Sequence, residues 1–152
     1  MFRDGAERFL VFRIGAERFA VTLSAVDEVV DAPQVRPLPD AADHVMGIAM
    51  VRGAPVMVYD PRPLLNVSGP VDDAALLFTR GGTRIGLAVG GVHDTVLVEP
   101  SEVRPAPGAD LSDKVLVGVV RRDRDLIAML DAARLVAVAT GAEESHRGGG
   151  RA

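Results

Sequence analysis

The chain has no cysteine and no tryptophan, and its 152 residues include a single tyrosine, Tyr59. The lack of cysteine excludes disulfides, thiolate catalysis and zinc sites built on thiolates. Aromatic residues make up only 4% of the sequence, so few side chains could stack on nucleic-acid bases. The net charge of −4 also argues against nucleic acid as a partner. No segment is apolar for the ~18–20 residues that a membrane-spanning helix needs.

The two ends of the sequence are polar. Residues 1–8 are charged and lack the apolar centre of an export signal, so we expect an N-terminal extension there. We also expect a cytoplasmic protein without direct membrane insertion. Residues 139–152 are polar and rich in glycine, a composition that predicts a flexible tail.

Catalytic chemistry has little support in the sequence. His44, His93 and His146 fall in three separate regions, and none has a partner at the spacing of metal ligands. The serines lack the local context of a nucleophile elbow. The glycines at 81–86 lack the lysine and the length of a phosphate-binding loop. We therefore predict no catalytic residues, no metal site and no cofactor.

The stretch 47–62 is the most informative part of the chain. Two apolar runs flank the pair Arg52–Gly53, and Asp60–Pro61 follows the second run. This pattern predicts a β-hairpin with Arg52 at its tip, because glycine favours the tight turn and proline ends the second strand. The pattern returns over 118–131, where a glycine and an aspartate are again 13 positions apart.

Further matches extend this repeat toward the N-terminus. The segments 10–12 and 26–28 match 76–78 and 92–94, all at one offset of 66 residues. We infer two copies of one unit, over approximately 9–65 and 75–136. Each copy is predicted to hold about five short strands separated by glycine and proline turns. A unit of this size is marginal alone, so we expect an all-β fold in which each copy forms a small barrel and the two share a core.

Shorter elements are predicted between the strands. Ser24 is expected to cap a helical turn over 24–26. Prolines make 32–45 and 100–114 irregular loops, and helices are expected near 62–66 and 132–140. The recurring phenylalanines are predicted to lie in the core: Phe9, Phe12, Phe19 and Phe78.

The ordered set of motifs resembles the CheW-like domain family. The similar segments are 9–15, 26–29, 46–48, 51–53, 60–62 and 103–107, and the resemblance covers about residues 9–138. It implies two SH3-like five-stranded β-barrel subdomains from the internal repeat, with short helices and a C-terminal helix. The chain departs from the usual family pattern at Met50, Val51, Pro61 and Gly90.

The resemblance also implies a function and a site. It implies a non-catalytic chemotaxis adaptor that joins the cytoplasmic tip of a methyl-accepting chemoreceptor to the regulatory CheW-like domain of a chemotaxis histidine kinase. Such an adaptor would be cytoplasmic and recruited to membrane receptor arrays. The resemblance points to Arg52 and Gly53 as partner-binding residues, and to Glu28 as the ion-pair partner of Arg52. Val26 and Val30 are candidates for an apolar groove that accepts a helical face.

Two other functions stay open from the sequence. Small barrels often bind single-stranded nucleic acid, which would require an aromatic platform in a basic groove. A CheW-like scaffold could also serve a signalling system other than chemotaxis.

Overall fold

The computed structural model describes residue 2 and residues 5–70, 73–92, 94–106 and 115–141. Its strands are β1 (Glu7–Ile14), β2 (Glu17–Thr22), β3 (Glu28–Asp31), β4 (Val35–Arg36), β5 (Val45–Val51), β6 (Ala54–Tyr59), β7 (Ala74–Arg80), β8 (Thr83–Val89), β9 (Thr95–Val98), β10 (Leu116–Arg122) and β11 (Asp125–Leu130). The helices are α1 (Arg62–Leu65) and α2 (Ala132–Ala139), and short 3₁₀ turns cover Leu23–Ala25 and Pro100–Glu102. Most of the predicted tail and parts of the N-terminal extension and second proline loop lie outside the described residues.

Four hairpins form where the sequence predicts them, and each has a two-residue turn. In the β7–β8 turn, Gly81 and Gly82 have φ values of 58° and 80°. Positive φ at both positions matches the right-handed twist of the flanking strands, and glycine adopts it without steric cost. The predicted helices near 62–66 and 132–140 are also present, as α1 and α2.

The strands form two curled sheets. Sheet 1 has the order β10-β11-β2-β1-β9, and sheet 2 has the order β3-β7-β8-β6-β5-β4. The edges of sheet 2 are joined by residues 32–34, which can span only about 14 Å between β3 and β4. In a flat sheet those edges would be about 24 Å apart, so sheet 2 has to curl until they approach each other.

The predicted fold class is confirmed, since the protein is mostly strand, in two curled sheets with few helices. The expectation that each copy closes its own barrel is wrong. Sheet 1 combines β1 and β2 of the first half with β9, β10 and β11 of the second, and sheet 2 combines β7 and β8 with four strands of the first half. The hairpin pattern fixes which neighbouring strands pair, but it carries no information about which hairpins then join.

Each half thus contributes strands to the sheet of the other, and we call this the exchange between the halves. The exchanged strands pair in the same register in both sheets. Pairs between the halves in sheet 1 recur in sheet 2 with the two halves interchanged. The offset is 66 residues from β1, β2 and β3 to β7, β8 and β9, and 71 residues from β5 and β6 to β10 and β11. The corresponding pairs are Phe9↔Val96 with Ala75↔Val30, Leu10↔Thr95 with Leu76↔Val29, and the parallel pairs Phe19↔Ala128 with Ile85↔Met57. The boundaries of the repeat units and of the domain stay predictions.

The largest core cluster lies between the two sheets. It combines Phe12 of sheet 1, Leu76 and Phe78 of sheet 2, and Leu135 and Val136 of α2. The expectation of a shared core is therefore confirmed. The four phenylalanines that were predicted to be internal are between 0% and 5% exposed.

Two local predictions need correction. The 3₁₀ turn begins at Leu23, follows Thr22 rather than Ser24, and has no side-chain cap. The loop 32–45 is not wholly irregular, because β4 pairs with β5 inside it. This pairing depends on Gly47, where a Cβ would lie 1.9 Å from the carbonyl oxygen of Arg36. Gly118 has the same role in sheet 1, where a Cβ would lie 2.7 Å from the carbonyl oxygen of Arg104.

Replacing a phenylalanine of the central core tests the shared packing. Phe12 is 1% exposed, so Phe12→Ala should lower the free energy of unfolding by about 3–5 kcal/mol in chemical denaturation. Phe2 is only half-buried and packs at the periphery, against Phe9, so Phe2→Ala is the matched control with a smaller loss. A loss below about 1 kcal/mol for Phe12→Ala would show that this core does not hold the sheets together.

Candidate partner-binding site at the Arg52 hairpin tip

The residues of the candidate site come from three strands at one end of sheet 2. Glu28 is the first residue of β3, and Arg52 and Gly53 form the turn between β5 and β6. Arg84 lies near the start of β8. Glu28 pairs with Leu77 on β7, which in turn pairs with Gly86, two positions from Arg84. The curl of the sheet brings the β5–β6 turn next to Glu28.

The turn fixes the direction of the Arg52 side chain. Arg52 has a φ of 51° and Gly53 a φ of 80°, so both adopt the left-handed conformation of a two-residue hairpin turn. This conformation costs a non-glycine residue about 1–2 kcal/mol. Gly53 has open space around its Cβ position, so its role here is conformational. It allows the turn that presents Arg52.

Glu28 holds two arginines at once. Its Oε2 accepts hydrogen bonds from Arg52 Nη2 at 2.7 Å and from Arg52 Nε at 3.2 Å. Its Oε1 accepts one from Arg84 Nη2 at 2.7 Å. The structure thus contains the ion pair between Glu28 and Arg52, and it adds Arg84 on the other side of the carboxylate. The role of these residues in partner binding stays a prediction.

The exposure of the three side chains differs sharply. The Arg52 side chain is 74% exposed, whereas those of Arg84 and Glu28 are 35% and 23% exposed. Arg52 is therefore anchored along one edge by a half-buried carboxylate, and most of its guanidinium faces solvent. A guanidinium has five donors in a rigid fork, so the donors that do not reach Glu28 can bind a partner.

The electrostatics keep Glu28 ionised. Hydrogen bonds from Arg52 first, and then from Arg84, lower the pKa of the Glu28 carboxyl from 4.5 to about 2, although burial opposes the shift. Glu28 in turn raises the pKa of Arg52. The three side chains therefore keep a net charge of +1 over the physiological range.

The valines of the predicted groove lie in different environments. Val26 is half-buried and packs against the central core. Val30 packs against the cluster inside sheet 2 that contains Val51 and Leu77. Side chains alternate along a strand, so Val29 points to the opposite face, where it is 40% exposed. Val29, rather than Val30, is the exposed apolar side chain of β3.

Arg84 is the site residue that the sequence did not identify. Its only signal was its match with Arg18 at the offset of the repeat, and that match carries no information about a partner. Its pairing with Glu28 depends on β7 lying between β3 and β8, and β3 reaches β7 only because the two halves exchange strands.

Other kinds of site find no support in the described part of the chain. Within it, no group of three or more His, Cys, Asp or Glu side chains could hold a metal ion. His44 instead stacks on Tyr59, and its Nε2 lies 3.0 Å from the carbonyl oxygen of Ala139 in α2. The remaining histidines, His93 and His146, lie outside the described residues. The phenylalanines are buried or half-buried, so they offer no stacking platform for bases.

The sequence and the fold were compared with known proteins. The sequence model of the CheW-like domain matches residues 8–140. The chain is 25% identical over 133 residues to the "Chemotaxis protein CheW" of Rhizobium meliloti (strain 1021), covering 84% of this chain and 86% of that protein. It is 24% identical over 135 residues to the "Chemotaxis protein CheW" of Klebsiella aerogenes, covering 86% and 81% of the two chains.

A similar solved structure is that of the scaffolding protein TtCheW from Thermoanaerobacter tengcongensis. The TM-score is 0.73 at 20% sequence identity, and the match covers 85% of this chain and 86% of that chain. At this identity the likeness shows that the fold is the same.

The lowered pKa of Glu28 predicts how stability depends on pH. Since the folded carboxyl titrates near 2 and an unperturbed one near 4.5, its ionised form stabilises the fold above pH 4.5. This contribution is lost as the pH falls from 4.5 through about 2. The difference in melting temperature between the wild type and Glu28→Gln should therefore be constant above this interval and shrink within it.

An NMR titration of the Glu28 carboxyl carbon measures the same shift directly. Arg52→Ala should raise the titration midpoint, because it removes the largest cause of the lowered pKa. Arg124→Ala, at the hairpin tip of sheet 1, should leave the midpoint near 2. A wild-type midpoint near 4.5 would mean that the network with both arginines does not form in solution.

Proposed function

The chain belongs to the CheW-like domain family of chemotaxis adaptor and scaffold proteins, and on that premise we propose that it couples chemoreceptors to a histidine kinase. The receptor would be bound at the cytoplasmic tip of a methyl-accepting chemoreceptor. The kinase would be bound through its regulatory CheW-like domain. Both contacts are between proteins, so the function requires binding surfaces and neither catalysis nor a cofactor.

The observation that carries the proposal is the anchored arginine at the tip of the β5–β6 hairpin. Glu28 orders the Arg52 side chain before any partner arrives, and 74% of that side chain remains exposed. An ordered side chain loses less conformational entropy on binding than a free one. Charged groups at the rim of an interface mainly set specificity and the rate of association. This combination suits a contact that has to select its partner.

An adaptor needs a second surface, and sheet 1 offers apolar side chains for it. Leu97 on β9 is 51% exposed and Val117 on β10 is 41% exposed, and these strands are the two edges of that sheet. The β5–β6 hairpin belongs to sheet 2. Separate surfaces on the two sheets would let one molecule hold a receptor and a kinase domain together.

The location follows from the proposed partners. No helix in the described ranges combines the length and the apolar character that crossing a membrane requires. We propose that the protein acts in the cytoplasm, and that binding to receptor tips recruits it to membrane receptor arrays.

Charge reversal at the hairpin tip tests the proposal. Arg52→Glu should weaken binding to a receptor-tip helical hairpin or to the kinase regulatory domain by roughly tenfold or more, because a carboxylate replaces an exposed guanidinium. The measurement is a titration of each purified partner by calorimetry or fluorescence anisotropy. Arg124→Glu is the matched control, since Arg124 is an exposed arginine in the equivalent turn of sheet 1.

The variants have to be folded for the comparison to be valid. The melting temperature of Arg52→Glu should stay close to that of the wild type, because the replaced side chain is largely exposed. Unchanged affinity for both partners, or equal losses for Arg52→Glu and Arg124→Glu, would count against Arg52 as a contact. If neither partner bound the wild type, the coupling function itself would be wrong.

A further inference from the structure

A cleft on sheet 2 lies next to the Arg52 turn and shares Arg84 with the candidate site there. It has a volume of about 500 Å³ and is formed by β5, β6 and the β7–β8 hairpin, with Thr140 after α2 at one end. We call it the β5–β8 cleft. Its volume lies within the range of about 300–1,000 Å³ that is usual for ligand sites. Its floor is apolar and its rim carries two arginines, Arg80 and Arg84.

The floor consists of side chains on the outer face of the hairpin. Ile48 and Met57 are half-buried and Pro55 is exposed, whereas the alternating residues Ala49 and Val58 face the interior of sheet 2. Methionine is flexible and polarisable, so it can adapt to the shape of an incoming apolar side chain. The floor is therefore suited to a large aliphatic or aromatic group.

Both arginines have side-chain N–H groups that make no hydrogen bond with the described residues. Arg80 is exposed, and its side chain makes no ion pair or hydrogen bond with the described residues. Arg84 donates to Glu28 through Nη2 alone, which leaves its Nη1 and Nε. Two guanidinium groups beside an apolar floor form a site that is complementary to a carboxylate attached to an apolar segment.

The other sheet shows how such a cleft looks when a carboxylate occupies it. A cleft of about 470 Å³ on sheet 1 is lined at the equivalent strand positions by Val119, Leu126, Ala128 and Arg18. There, Arg18 Nη1 binds Asp125 Oδ2 at 2.9 Å. Asp125 closes the β10–β11 turn, and the residue that closes the β5–β6 turn is Ala54. The β5–β8 cleft thus has the arginine but lacks the carboxylate of its own hairpin.

We propose that the β5–β8 cleft binds an acidic, apolar peptide segment of a protein partner. A large apolar side chain of that segment packs over Ile48, Pro55 and Met57. An adjacent Asp or Glu takes the position that Asp125 has in sheet 1, and it accepts hydrogen bonds from Arg80 and Arg84. The proposal does not depend on a receptor or a kinase, and it adds a third surface to the two that coupling requires.

A peptide selection identifies the preferred occupant of the cleft directly. A display library of short random peptides is selected on the full chain, and the enriched peptides are then measured against purified variants. We expect an enriched motif with Asp or Glu next to a large apolar residue. Its Kd should rise roughly tenfold or more in Arg80→Glu, because a charge-assisted hydrogen bond is replaced by repulsion. Arg121→Glu, an exposed arginine on sheet 1, should leave the Kd unchanged.

Methyl NMR places the bound peptide. In protein labelled at the methionine methyl groups, the Met57 signal should shift on binding, and that of Met129, which is 1% exposed, should not. A peptide with Gln in place of its Glu should bind as weakly as the original peptide binds Arg80→Glu. The proposal is overturned if no motif is enriched, if the motif lacks an acidic residue, if Arg80→Glu binds normally, or if the Met57 signal does not move.

Discussion

The parallel pairing between the two halves of the chain is the constraint on which the rest of the structure depends. It consists of few backbone contacts: β6 meets β8 over Met57–Tyr59, and β11 meets β2 at Ala128 and Met129. Each pairing joins the second hairpin of one half to the first hairpin of the other. Without it, each hairpin would present an unpaired edge, and such edges promote aggregation. The candidate site also depends on it, because it joins the hairpin that carries Arg52 to the strand that carries Arg84, and both arginines bind Glu28.

Glycines make this arrangement possible by allowing backbones to approach closely. The backbone at Arg36 passes so close to Gly47 that no side chain would fit there. Gly118 has the same close contact with the backbone at Arg104 in sheet 1. Gly86 lies in the parallel pairing itself, where a Cβ would be 3.2 Å from Leu77 and 3.4 Å from Val58. The glycine that begins each hairpin motif in the sequence thus serves the closure of a barrel as well as the hairpin.

The sequence predicted the elements that are determined by residues close together in the chain. It missed the contacts that arise when the hairpins join into closed sheets. The hairpins and α2 follow from alternation, turn residues and helix propensity, and the burial of Phe12 follows from its place on a strand. The exchange between halves could not be predicted, because the apolar edges of the four hairpins are chemically alike. The pairing of Glu28 with Arg52 was predicted only from the family resemblance. Arg84 was missed, because its contact with Glu28 depends on the exchange between the halves. Nor did it distinguish Val30, inside sheet 2, from the more exposed Val29.

The two sheets are similar in fold and differ in the residues at their hairpin tips. The turn of sheet 2 carries Arg52 anchored by Glu28, whereas the equivalent turn of sheet 1 carries Asp123 and Arg124. The most direct test is to titrate a receptor-tip helical hairpin into isotopically labelled protein and follow the backbone amide signals. The largest shifts should fall on Glu28 and Arg52 and leave Asp123 and Arg124 unmoved. Shifts confined to the turn of sheet 1, or spread equally over both turns, would contradict the proposal that a receptor binds at the Arg52 tip.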